Sequence, residues 1–217
     1  SRARGAVLEL MSPDAEGYLD LAREHARALR AEGQPGPAIE MWTKVLEAQP
    51  GDVEAKGALE TLFVLLGRTR ELAEFYAGPA NDPLGAAHLY AKQLGDEEAA
   101  TEMYRRVLAE SGEHLEAFTA LETLYTEKRR WNELVELLER RAETTLSGAE
   151  QLKLRARIID LTEFKLDDVA SARQQAVTAF GETGDQRFQE RVTRLADASS
   201  RWREVADAIA HQADIAD

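Results

Sequence analysis

Arg129-Arg130-Trp131-Asn132-Glu133-Leu134 returns 71 residues later as Ser200-Arg201-Trp202-Arg203-Glu204-Val205. Both copies read Arg-Trp-x-Glu-aliphatic after a polar turn, and both lead into an apolar-striped segment. A second pair is Gly33-Gln34-Pro35-Gly36-Pro37-Ala38 and Gly95-Asp96-Glu97-Glu98-Ala99-Ala100. Each of these has an aromatic four residues later (Trp42, Tyr104) and then Val45-Leu46 or Val107-Leu108 at the same offset. Internal repetition limits the fold strongly, because a single repeat cannot bury its own apolar face and must stack on its neighbours. With the small or aliphatic residue that opens each second helix as a marker, the series is Ala38, Leu72, Ala100, Leu134, Ala172 and Val205. The spacings are 34, 28, 34, 38 and 33.

The segments between markers read as helices. Ala, Leu, Glu and Arg dominate, and no run of β-branched residues is bounded by turns, so strands are not expected. Breaks at Gly33 to Pro37, Gly67, Gly78-Pro79, Asp82-Pro83, Gly95, Gly112, Ser147-Gly148 and Gly181 to Gly184 cut the chain into helices of about three to four turns. Ser12 is expected to cap the first of them, with Pro13 in its opening position and Asp14 and Glu16 favourably placed near the helix N-terminus. Apolar stripes such as Leu121, Leu124, Tyr125 and Leu134, Leu137, Leu138 face a core. Alanines 38, 100 and 172 let helix backbones approach, and Trp42 and Tyr104 fill the space beside them. Trp131 and Trp202, at the turn into the second helix, are the aromatics expected to be partly exposed.

A period near 34 with a turn in mid-unit resembles the tetratricopeptide repeat. Gly33, Ala38, Trp42 and Pro50 match that pattern in the first unit, although Ala22 and His25 stand where a bulky residue and Leu are usual. Leu59, Phe63 and Gly67 match in the second unit; Phe118, Leu121 and Tyr125 match in the fourth. The third unit is short, and the fifth carries one extra residue before Ala172. The resemblance implies an all-α, right-handed α-solenoid of about six helix-turn-helix repeats. The expected organisation is an N-terminal segment 1–13, the remnant of a preceding helix, followed by units at 14–51, 52–80, 81–113, 114–147, 148–184 and 185–217.

Function is expected to lie in binding another protein. In the family this chain resembles, first helices line a groove that holds a partner's peptide or helix. Carrying the groove positions over points to Arg23, Arg27 and Arg30 in the first unit, and to Thr119, Thr123 and Thr126 in the fourth. Arg157 joins them from the fifth. The three arginines form one helical stripe on a chain of net charge −13, a local reversal of sign suited to an acidic segment or carboxylate. The competing reading is a solvated face balanced by Asp14, Glu16, Asp20 and Glu24. Chaperone-binding members of the family clamp a terminal carboxylate with Lys and Asn; here Asn occurs only at 81 and 132, so that ligand is disfavoured.

Other chemistries find no support in the residues. The acidic balance opposes nucleic acid and anionic membrane surfaces. There is no cysteine, and His25, His88, His114 and His211 are not paired at a metal-ligand spacing. No phosphate loop or nucleophile elbow is present. The expectation is therefore no enzyme, no cofactor and no metal site. No apolar run reaches the roughly 18 residues of a bilayer span, so membrane insertion is not expected. The chain starts without Met and stops inside a helical pattern, which reads as a piece of a longer protein. High Ala and Arg with low Lys and Asn point to a bacterial source, with the cytoplasm the favoured compartment. Two alternatives stand beside the scaffold: a self-associating assembly factor, with oligomerisation through repeat ends, and a regulatory or targeting domain of a larger enzyme.

Overall fold

The computed structural model describes residues 2–12 and 14–199, so Pro13, Trp202, Val205 and His211 lie outside the described residues. Those residues form twelve α-helices and no strand. The chain divides into two compact units, residues 1–107 and 108–217.

The first unit begins with α1 (Arg2–Leu10), followed by the pairs α2 (Tyr18–Ala31) with α3 (Pro35–Ala48) and α4 (Val53–Leu65) with α5 (Thr69–Ala77). Then come α6 (Pro83–Leu89), extended by a π-helical turn at Tyr90–Leu94, and α7 (Glu97–Ser111), within whose last turn the division between the units falls. The second unit holds α8 (Leu115–Glu127), α9 (Trp131–Thr144), α10 (Gly148–Phe164), α11 (Val169–Thr183) and α12 (Gln186–Ser199). The first members of the pairs (α2, α4, α6, α8 and α10), together with α12, are called A helices below. The second members, α3, α5, α7, α9 and α11, are called B helices.

One backbone feature fixes the register of every described pair. Gly33, Gly67, Gly95, Arg129 and Asp167 have φ of 71°, 65°, 63°, 54° and 56°, and each stands five residues before its marker. A left-handed residue closes the A helix and turns the chain into the B helix. In three pairs the closure is a hydrogen bond spanning five residues: Gln34 N–H to Leu29 O (2.9 Å), Arg68 to Phe63 (2.9 Å) and Arg130 to Tyr125 (2.8 Å). In the other two it reaches one residue further, from Asp96 to Tyr90 (2.9 Å) and from Asp168 to Thr162 (3.0 Å). The π-helical turn absorbs the added residue in α6; in α10 the irregular end Lys165–Asp167 does so.

The five described markers are all buried. Ala38, Ala100 and Ala172 are completely buried, and Trp42 and Tyr104 are buried beside the first two. Core residues therefore account for both of those aromatics, whereas Trp131 is half-buried, with the Lys165 ammonium 5.6 Å from its ring centroid. Thirteen residues before the marker, Leu59, Leu121 and Ile159 fill the core, but His25 takes that place in α2. Burial lowers the His25 pKa, and Gly5 of α1 lies over the ring, where an added Cβ would stand 3.2 Å from Nε2. In the second unit a hydrophobic core joins α10, α11 and α12 through Ile159, Ala176, Phe180, Phe188, Val192 and Leu195.

Two expectations are corrected. Ser12 does not cap α2: its backbone carbonyl accepts the Ala15 N–H in the linking turn (2.9 Å), and α2 starts at Tyr18 after Gly17, whose φ of 80° breaks the helix there. The short interval from Leu72 to Ala100 arises in the second pair's B helix. α5 has 9 residues, against 14 or 15 in α3, α7, α9 and α11, because Gly78-Pro79 ends it early. The long interval that follows Leu134 arises in α10, which at 17 residues is the longest helix described.

Candidate partner-binding face

Arg23 and Arg27 lie on α2 and turn to the N-terminal end of α4. Arg23 donates from Nε and Nη2 to Asp52 Oδ2 (2.8 and 2.6 Å), from Nη1 to Asp20 (2.9 Å) and from Nη2 to Gln49 Oε1 (2.9 Å). Asp52 is itself buried and caps α4, accepting the Ala55 N–H at 2.7 Å. Burial works against the Asp52 carboxylate, but the bonds from Ala55 and Arg23 outweigh it and hold its pKa below the ordinary value. Arg27 makes a two-pronged pair with Glu54, 2.6 Å on each arm, which lowers the Glu54 pKa. The two arginines thus carry structural bonds between successive A helices, and the balancing charges come mainly from α4. Of the four acids expected on α2's own side, Asp20 pairs with Arg23, and Glu24 reaches Arg4 of α1 at 3.6 Å.

Arg30 is different. Its guanidinium has no partner among the described residues, and it borders a recess of about 520 Å³ with Arg27, Trp42, Glu54, Gly57 and Ala58. Trp42 is 2% exposed, and its indole N–H is buried without a hydrogen-bond acceptor.

In the second unit the same construction recurs. Arg157 of α10 pairs with Glu122 of α8, Arg191 of α12 with Asp160 of α10, and Arg194 of α12 with Glu163 of α10. Thr119, Thr123 and Thr126 are exposed, and each hydroxyl donates back to a carbonyl four residues earlier (2.8, 2.9 and 2.7 Å). The three hydroxyls are spent on their own helix. The sequence reading missed Asp52, Glu54, Glu122, Asp160 and Glu163. These carboxylates lie 27 to 35 residues from their arginines, close to one repeat, so an arginine matched with an acid one period away is the signal that finds them.

Among the described residues no group of three or more His, Asp or Glu is placed to hold a metal ion, and no helix is long and apolar enough to cross a membrane. His114, one of the histidines considered for metal binding, caps α8 by accepting the Ala117 N–H at 3.3 Å.

No protein-family model matches the chain, and no curated protein matches it by sequence. Similar solved structures include a tetratricopeptide repeat protein from Parabacteroides merdae, at 17% identity and TM-score 0.36, covering 88% of this chain and 77% of that one. YrrB, a TPR protein described as having an unusual peptide-binding site, matches at 14% identity and TM-score 0.35, over 86% of this chain and 95% of its own. TPR-like repeats of a kinesin light chain from Podospora anserina match at 18% identity and TM-score 0.36, over 91% and 94%. With TM-scores of 0.36 or less these likenesses carry no argument, and the assignment rests on the register of the chain's own helix pairs: the described residues form an all-α, tetratricopeptide-like array of helix-turn-helix repeats.

Proposed function

We propose that the chain is a protein-interaction scaffold whose A-helix face receives a segment of a partner protein. The observation that carries this reading is the recess beside Arg30. It offers an uncommitted guanidinium next to Trp42 and Ala58, so one carboxylate with an apolar neighbour finds a complementary seat. Arg23 and Arg27 are withheld by Asp52 and Glu54, which narrows the acidic-partner reading from a stripe of three cations to a single contact. A densely acidic ligand fits poorly, because Glu54 borders the recess and the chain carries a net charge of −13. Thr119, Thr123, Thr126 and Arg157 supply shape and neutral surface on the A-helix face of the second unit.

The test uses a fluorescein-labelled leucine–glutamine peptide of about twelve residues bearing one glutamate, followed by anisotropy. The expected result is saturable binding that falls about tenfold or more in Arg30→Glu, equivalent to about 1.4 kcal/mol. Equal affinity of the wild type and Arg30→Glu would remove this recess as the seat.

A further inference from the structure

The B-helix side of the first unit carries a second recess, of about 560 Å³, between α3 and α5. Its floor is apolar: Leu46, Leu59, Phe63 and Phe75. Its rim is acidic, formed by Glu47 of α3 and by Glu71 and Glu74 of α5. Arg68 pairs with Glu71 at 3.1 Å, while the carboxylates of Glu47 and Glu74 have no partner among the described residues.

The equivalent recess in the second unit, of about 450 Å³, differs in its lining. Between α9 and α11 the same register positions carry Glu139, Ala142 and Glu143 on one side and Gln174 and Gln175 on the other. There the recess is crossed by polar bonds: Arg155 to Glu182 at 2.6 Å, and Gln175 to Glu139 at 3.4 Å. Glu182 stands ten residues after its marker, in the last turn of α11. α5 ends five residues after its marker, so it has no residue to cross with, and Phe75 stands where α11 has Gln175. Truncation of α5, with Phe75 in place of a glutamine, leaves an apolar floor beneath two unpaired carboxylates.

We propose that this recess is a second docking site, taken by a basic, apolar segment of a partner protein: a bulky aliphatic or aromatic side chain on the floor, flanked by lysine or arginine at Glu47 and Glu74. Charge complementarity selects this occupant, since a neutral apolar segment would leave both rim carboxylates unpaired as it covered them. The chain's net charge of −13 steers such a segment inward. The site is independent of the Arg30 recess and takes a ligand of opposite sign.

The probe is the same labelled leucine–glutamine peptide with two lysines in place of its glutamate. Wild type is expected to bind it saturably. Glu47→Lys combined with Glu74→Lys should lower affinity at least tenfold, and Thr43→Trp, which fills the recess from its exposed edge without changing charge, should do the same. Glu102→Lys combined with Glu127→Lys changes net charge equally at exposed positions that do not line the recess and should leave affinity within about twofold, with helicity by circular dichroism intact in every variant. The proposal is overturned by an equal loss in the control pair, which would mean unspecific attraction, by unchanged affinity in Thr43→Trp, or by no binding to wild type. It is also overturned if light scattering shows a wild-type dimer that Thr43→Trp converts to monomer, since a second copy would then be the occupant. Arg30→Glu should leave this binding unchanged, so the two sites fail or succeed separately.

Discussion

Asp52 shows how much one residue can hold at once. It is buried, caps α4 through Ala55 and anchors Arg23 of α2 through two donors. Removing an N-cap costs about 0.5–2 kcal/mol, and loss of a charge-assisted bond adds to that. Asp52→Ala is therefore expected to destabilise the first unit by about 1–3 kcal/mol in urea unfolding, and Asp52→Asn, which keeps the capping oxygen, by about half as much. Because its folded pKa is depressed, Asp52 contributes stability that is fully present above its unfolded pKa of about 3.9 and is lost as the pH falls through the lower folded value. Wild type should thus lose stability relative to Asp52→Asn on acidification below about pH 4. A wild-type minus Asn difference that stayed flat between pH 7 and pH 3 would show that the bonds from Ala55 and Arg23 do no more than balance the cost of burying the carboxylate.

At the scale of elements, the turn from A helix to B helix is the conserved device of the repeat within this chain. Three of the five described turns place Gly in the left-handed position, but Arg129 and Asp167 occupy it in the fourth and fifth. A side chain there costs about 1–2 kcal/mol, partly offset by the lower unfolded-chain entropy of a non-glycine residue. Arg129→Gly is accordingly expected to stabilise the second unit by about 0.5–1 kcal/mol, read as a higher denaturation midpoint at unchanged slope. A lower midpoint would mean that the Arg129 side chain holds the turn. Helix positions, markers and core aromatics were legible in the sequence because burial and period coincide at Ala38, Trp42, Tyr104 and Leu121. The start of α2 was not, since Gly17 breaks the helix at a point where Ser12 and Asp14 offer an equally good local start. Nor did the spacing of markers tell which helix of a pair had lost residues; the Gly78-Pro79 stop in α5 decides that. The arginine stripe was legible as a stripe, but its partners lie one repeat away, and only the stacked backbone brings Asp52 and Glu54 to it.

Taken as a whole molecule, the chain spends most of its A-helix arginines on carboxylates of the neighbouring A helix, in both compact units. This reverses the meaning of a basic stripe on an acidic chain: the paired arginines tie successive A helices together within each unit, and what they leave over is where we propose that another protein binds. Arg30 is that remainder on the A-helix face, and Glu47 with Glu74 is the corresponding remainder on the B-helix side. Hydrogen exchange of the intact chain, with and without a saturating amount of the single-glutamate peptide, tests the central claim most directly. The account predicts slowed exchange at the C-terminal end of α2 and in α4 around Gly57 and Ala58, with α3 and α5 unchanged along the acidic recess. Slowed exchange elsewhere with none in α2 and α4, or none anywhere at saturation, would contradict it.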